Sequence, residues 1–229
     1  METTIYFKKL IKRLLRNTNW QNLRSLKPIS SSFGFDRGTP IDRIYIEHFL
    51  ESNKEHIHGI VCEIAENMYS KKFGKNIERY EILHYNNEND KATIIGDLTN
   101  PLALPANTIN CFILTQTLNF IYNFKDAIKG IHFMLNQGGT ALVTVAGITQ
   151  ISRYDMDRWG DYWRFTDLSI KKSFDEIFGS NNVHVQTYGN VLTSISFLEG
   201  ISAEELTIDE LFYKDKDYQL VIAIRAKKV

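Results

Sequence analysis

The sequence predicts an α/β protein with a Rossmann-like, doubly wound sheet of seven strands, mostly parallel with the last strand antiparallel, flanked by helices. Three observations carry this reading. Continuous apolar runs such as "CFILT" at 111–115 and "ALVTV" at 141–145 imply strands buried on both faces, as in a parallel sheet covered by helices. Strand-like and helix-like patterns alternate along most of the chain. The last two strand candidates, joined by a long segment, imply a hairpin-like pair that closes the sheet.

Residues 1–27 stand apart from this alternation. Phe7, Leu10, Ile11, Leu14 and Leu15 recur at helical spacing with Lys8, Lys9, Lys12, Arg13 and Arg16 between them. With Arg24 and Lys27, seven basic residues against Glu2 give this segment a charge of +6. Two readings stand: residues 5–16 meet an anionic membrane surface or a partner, or they pack their apolar stripe on the domain. Lys27-Pro28 and the serines at 30–32 read as a short linker, dividing the chain into 1–32 and a domain at 33–229.

Within that domain, Ile41, Ile44, Tyr45 and Phe49 at turn spacing predict a helix over 40–53, with Pro40 in its first turn. Strands are expected at 60–64, 81–85, 93–95, 109–115 and 140–146. A helix at 124–135 should be stopped by the turn Asn136-Gln137-Gly138-Gly139. Another helix, 167–178, has Thr166 as its N-cap. Strands at 183–188 and 218–226 complete the set, and 190–211 is expected to be helical in part.

The bulk numbers exclude several classes. A 229-residue chain that is 43% hydrophobic supports one well-buried core. Its 27 basic and 27 acidic residues cancel, so no global field draws it to nucleic acid. Cys62 and Cys111 both lie in apolar runs, which fits a reducing compartment better than a disulfide framework. No apolar run approaches the ~18 residues of a membrane span, and no signal peptide is recognisable, so a cytoplasmic protein is expected. His56 and His58 lack a Cys or carboxylate cluster beside them, so no metal site is expected.

In doubly wound sheets ligands bind beyond the carboxyl ends of the strands. That rule selects 63–67, 85–87, 96–98, 115–117 and the residues from Gly147 onward. At these places the sequence resembles the class I S-adenosylmethionine-dependent methyltransferases, over roughly residues 33–228. "VCEIA" stands where that family ends its first strand on an acidic residue. "GDLTNPLALPANTINCFILTQTLNFIYN" matches its acidic residue followed by strand four, and "MLNQGG" its turn before strand five. More narrowly, "DRGTPIDRIYIEHFL", "ILTQTLNFIY" and "GITQISRYDMDRWGDYWRFT" resemble a bacterial subgroup associated with glycosyltransferases and surface-polysaccharide assembly. Two features depart from the family pattern: the Gly-x-Gly turn after strand one is missing, and Asn86 or Asn87 replaces the acidic residue expected to hold the ribose.

The resemblance implies S-adenosylmethionine as cofactor, held by Glu63, Ala65, Asn67, Asn86, Asp97, Leu98, Thr115 and Gln116. Residues 152–166, "SRYDMDRWGDYWRFT", combine aromatic rings with Arg and Asp, a composition suited to a sugar: ring faces take its C–H side and polar groups its hydroxyls. Tyr154, Arg158, Trp159 and Asp161 are therefore candidate substrate contacts, and Arg37 and Arg43 candidates for a phosphate on the acceptor. A hydroxyl nucleophile needs a base, for which Asp155, Asp157 and Asp161 are the candidates, the first two favoured. The expected function is methyl transfer to a hydroxyl of a sugar, glycan or related polar acceptor. The alternative is a non-catalytic binding module of the same fold in a glycan-assembly complex.

Overall fold

The computed structural model describes residues 24–229, so the basic stripe at 5–16 lies outside the described residues. The apolar runs become seven strands: β1 (Gly59–Ile64), β2 (Ile77–His84), β3 (Ile94–Ile95), β4 (Ile109–Thr115), β5 (Leu135–Ala146), β6 (Val183–Tyr188) and β7 (Val221–Lys227). They form one sheet in the order β3-β2-β1-β4-β5-β7-β6. Pairs among β1 to β5 are parallel, whereas β7 is antiparallel to both β5 and β6. Six strands thus run one way and β7 the other, as the sequence predicts. The chain winds outward from β1 through β2 to β3, then returns to place β4 on the other side of β1. That reversal is the topological switch point where such sheets open a crevice.

The flanking helices are α1 (Ile41–Glu51), α2 (Met68–Phe73), α3 (Phe124–Met134), α4 (Arg153–Met156), α5 (Asp167–Phe178), α6 (Val191–Glu199) and α7 (Ile208–Phe212). Period-two alternation along β4 sends Phe112 and Leu114 to one face and Cys111 and Ile113 to the other. The first face packs Ile131 of α3 and Ile170 and Phe174 of α5. The second packs Tyr45, Ile46 and Phe49 of α1 and Phe197 of α6. Burying each such side chain contributes about 1.5–3 kcal/mol, so both faces are needed to hold the sheet. Cys62 and Cys111 lie on neighbouring strands, both free and fully buried. Burial pushes both thiols well up, which leaves them unreactive.

Thr166 caps α5 as expected, and Ser169 closes the box by accepting the Thr166 N–H at 3.0 Å. Three boundaries differ from the sequence reading. The Asn136–Gly139 turn is instead the bulged start of β5, with Ile109 opposite Leu135 but Cys111 opposite Thr140. β2 starts earlier, at Ile77, because its exposed polar half still pairs with β1. β7 starts later, at Val221, because Tyr218 turns back to donate to the Asp215 carbonyl at 3.1 Å.

The serine run expected as a linker is fastened to the domain. Ser30 is buried and donates its N–H to the Glu199 carbonyl at 2.9 Å, and its hydroxyl bonds Asp36. Arg37 grips Glu205 through two hydrogen bonds of 2.9 and 2.6 Å, and Thr39 bonds Glu204. Residues 29–40 thus form a strap that carries Phe33 and Phe35 to the carboxyl edge of the sheet. Among the described residues no helix is long and apolar enough to cross a membrane.

Candidate functional site

A cavity of about 780 Å³ opens at the carboxyl ends of β1 to β5, against the strap and the segment after β5. That volume lies within the ~300–1,000 Å³ usual for small-molecule sites. Each of β1 to β5 contributes its carboxyl end: Glu63 to Glu66 at β1, His84 and Tyr85 at β2, Gly96 to Thr99 at β3, Thr115 to Thr117 at β4, and Ala146, Thr149 and Gln150 at β5.

The wall at β1 and β4 is shaped by backbone. Glu63, the last acidic residue of the buried strand, accepts the Ser70 N–H at 2.5 Å and the Tyr69 N–H at 3.1 Å. Both oxygens thus satisfy amides in the first turn of α2. Burial raises the Glu63 pKa, and these donors pull against that rise. The next turn has no glycine, yet Ala65 takes φ +64°, the left-handed conformation in which glycine is usual. It is held there by its own N–H on the Leu83 carbonyl at 3.1 Å and by Asn89 Nδ2 on its carbonyl at 2.7 Å. Gln116, after β4, is likewise left-handed at φ +50°, its N–H on the Thr144 carbonyl at 2.8 Å. Two strained non-glycine residues on neighbouring strands thus face one cavity, a pattern that marks functional sites. Beside them Asp97 accepts the Thr99 N–H at 2.8 Å through one oxygen. A Cβ on Gly130 of α3 would collide with the Leu98 carbonyl, so only glycine lets that helix seat the Asp97-Leu98 turn.

The opposite wall, 149–164, is shaped by side chains. Asp161, whose side chain is 1% exposed, receives a two-pronged grip from Arg164 at 2.5 and 2.9 Å and the Ser152 N–H at 3.1 Å. Arg164 also donates to the Gln150 carbonyl at 2.7 Å, closing the loop on itself. Ser152 Oγ donates to Asp155 Oδ2 at 2.5 Å. Trp159 reaches across to the far wall, edge-on to His84 at 6.1 Å and Tyr85 at 6.3 Å. The Arg158 guanidinium lies 3.5 Å from the Tyr154 ring centre. At the front, Arg43 donates to the Tyr69 hydroxyl at 2.7 Å, and burial raises the pKa of its neighbour Asp42 against the opposing pull of Arg43.

The structure brings together Glu63, Ala65, Asp97, Leu98, Thr115, Gln116, Arg43, Asp155, Arg158, Trp159 and Asp161 around this cavity. Five sequence candidates fall outside its lining, each for a local reason. Asn67 precedes α2, where its carbonyl takes the Ser70 hydroxyl at 3.3 Å. Asn86 spends its Oδ1 on the Glu88 N–H at 3.1 Å, and Tyr85 lines the cavity instead. Asp157 ends α4, its N–H on the Arg153 carbonyl. Tyr154 lies exposed beneath Arg158. Arg37 is committed to Glu205, which that grip holds down at about 2.

The sequence reading singled out neither Phe35, Tyr69, His84 nor Tyr85, all of which line the cavity. Tyr85 sat in a strand-end loop already selected. The others arrive by tertiary packing and carried no local signal. Among the described lining residues, six carboxylates (Asp42, Glu63, Glu66, Asp97, Asp155, Asp161) face three arginines (Arg43, Arg158, Arg164) and no lysine. The excess of negative charge suits a cation and disfavours a phosphate. No group of three or more His, Cys, Asp or Glu among the described residues is placed to hold a metal ion.

No protein-family model matches the chain, and no curated protein matches it in sequence. Solved structures share its fold. A SAM dependent methyltransferase from Archaeoglobus fulgidus superposes with a TM-score of 0.52 at 10% identity, over 81% of this chain and 94% of that one. The CurJ carbon methyltransferase gives 0.51 at 14% identity, over 86% of this chain and 57% of that one. The citrinin polyketide synthase CMeT domain gives 0.51 at 13% identity, over 82% and 53% respectively. Identities this low establish a shared fold and leave the chemistry to the site.

Proposed function

We propose that this chain is an S-adenosylmethionine-dependent methyltransferase that acts on a hydroxyl of a sugar, glycan or related polar acceptor. The observation that carries this reading is the cavity itself: five parallel strand ends at the switch point of a fold shared with a methyltransferase structure, lined by more carboxylates than guanidinium groups. The cofactor supplies, when bound, a methyl group activated on a cationic sulfonium. The lining fits such a group. Asp97 keeps one oxygen for an exocyclic amine, Leu98 offers an apolar edge, and the turns at Ala65 and Gln116 shape the wall between the two strand ends. Thr115 and Tyr85 complete that side, with Tyr85 in the place expected of Asn86. Glu63 acts indirectly, by holding α2 and the turn before it.

The acceptor lies against the 149–164 wall. Trp159 supplies a flat apolar face, while Arg158 addresses hydroxyls. Asp161 positions the wall through Arg164 in place of a direct contact. Asp155, oriented by Ser152, takes the proton of the attacking hydroxyl; Asp157 is left aside because it does not line the cavity. With Arg37 held by Glu205 and Arg43 by Tyr69, the acceptor needs no phosphate. Exchanging Asp155→Asn should leave cofactor affinity unchanged and lower turnover on a glycan acceptor by about 100-fold. Loss of cofactor affinity instead would remove Asp155 from that role.

A second reading, a binding module without turnover, is favoured by the glycine-free turn at 64–67. It is distinguished by glycan binding that persists where neither cofactor affinity nor methyl transfer is measurable.

A further inference from the structure

Helix α6 is built inside out. Its buried face carries Thr193, Ser194 and Ser196 beside Phe197, while Val191, Leu192 and Leu198 are 47, 40 and 40% exposed. With the half-buried Ile195 these outer residues make a stripe at i, i+4 and i+7, the spacing of a helix face that packs against something. Ile208 of α7, 69% exposed, extends the apolar surface. The buried face has its own logic. Asn190 caps the helix with Thr193, and the Asn190 amide holds the Glu210 and Tyr213 carbonyls at 2.7 and 2.9 Å, tying α7 to the start of α6. These bonds explain Thr193 inside, whereas Ser194 Oγ is buried without a hydrogen-bond partner and the apolar residues outside have no such account.

Two further observations identify what covers this stripe. The described chain passes beside it soon after its start at Arg24: Ile29 donates its N–H to Glu199 Oε2 at 3.2 Å and Ser30 to the Glu199 carbonyl at 2.9 Å, at the C-terminal end of α6. The surroundings are acidic: seven Asp and Glu stand against two Lys between Glu199 and Asp217, with Arg37 of the strap paired to one of them, Glu205. Acidic surroundings repel an anionic membrane and attract a basic segment.

We propose that the outer face of α6 and α7 is the docking surface for this chain's own residues 5–16. Phe7, Leu10, Ile11, Leu14 and Leu15 cover Val191, Leu192, Ile195, Leu198 and Ile208, and the intervening Lys and Arg face the acidic rim. The apolar stripe satisfies the hydrophobic term and the charges set the orientation. The segment then buttresses the cavity from behind, since Phe197 on the opposite side of α6 meets Phe33 of the strap at 5.8 Å and lines the cavity. This inference does not depend on the methyl-transfer reading.

The test uses the full chain. Hydrogen exchange would be compared between wild type and Leu10→Asp/Leu14→Asp. Amides of 191–199 and 208–212 should exchange about tenfold faster in the variant, with β1 and β4 unchanged. Unchanged exchange at 191–199 overturns the proposal. A second variant, Leu14→Cys/Ile195→Cys, gives the partner's identity, because both native thiols are buried. A cross-link within one chain supports docking in cis. Cross-links only between chains, or capture of the wild-type segment by anionic vesicles with 191–199 exposed, overturn it.

Discussion

The two walls of the cavity reach the same end, a fixed surface, by opposite means. At β1 and β4 the backbone itself is bent into left-handed turns at Ala65 and Gln116, and side chains such as Glu63 and Asn89 serve to hold it. At 149–164 the backbone follows its side chains, gathered around the buried Asp161 carboxylate. The difference teaches where each wall is vulnerable. The first should tolerate changes that preserve turn geometry, whatever the side chain. The second should fail when one carboxylate is lost.

The largest expected effect is therefore Asp161→Ala. It strands a guanidinium and the Ser152 N–H, and breaking such a buried pair costs about 3–5 kcal/mol. Because Arg164 keeps 29% side-chain exposure, solvent recovers part of that loss. A decrease of about 2–3 kcal/mol in urea denaturation is expected, together with lost acceptor turnover. A change below ~0.5 kcal/mol would mean that the loop does not depend on its clamp.

Ala65→Gly sharpens the contrast on the other wall. Glycine relieves about 1 kcal/mol of left-handed strain but gains a similar amount of freedom in the unfolded chain. Stability should stay within ~0.5 kcal/mol, and ligand affinity should be retained. A loss above ~1 kcal/mol would show that the alanine methyl, and not the turn, matters there.

The smallest effect concerns a second arginine–carboxylate grip, Arg37 on Glu205, the exposed counterpart of Asp161–Arg164. Here Arg37 hydrogen bonding, with the Ser202 amide adding to it, lowers the Glu205 pKa from 4.5 to about 2. For a carboxylate whose pKa falls on folding, the stabilisation is present above the unfolded value and disappears as pH falls through the folded one. The strap latch should thus hold at neutral pH and weaken only between pH 4.5 and about 2. Carboxyl-carbon NMR should give Glu205 a titration near 2, returning toward 4.5 in Arg37→Ala. Identical titrations in the two proteins would remove the latch.

The same contrast explains what was legible in the sequence. The buried strands followed from runs such as 111–115 and 141–145, because parallel strands covered on both faces cannot alternate, whereas their order across the sheet did not. The side-chain wall was visible as composition, since Asp161, Trp159 and Arg158 cluster in one segment. The backbone wall was not. A missing Gly-x-Gly points to an altered loop without saying how it is held, and neighbouring hydrogen bonds keep Ala65 in the glycine conformation. Residues delivered by tertiary packing, Phe35 from the strap and Tyr69 from α2, had no local pattern to betray them. Asn86, whose residue type fits a ribose, lies outside the lining because its side chain closes its own turn.

The most direct measurement is calorimetric titration of the full chain with S-adenosylmethionine and S-adenosylhomocysteine, repeated with Asp97→Ala. The expected result is micromolar affinity that falls sharply in the variant, with the fold intact by circular dichroism. Folded wild-type protein that binds neither compound up to millimolar concentration would contradict the cofactor site, and the cavity would then belong to a module that binds without turning over.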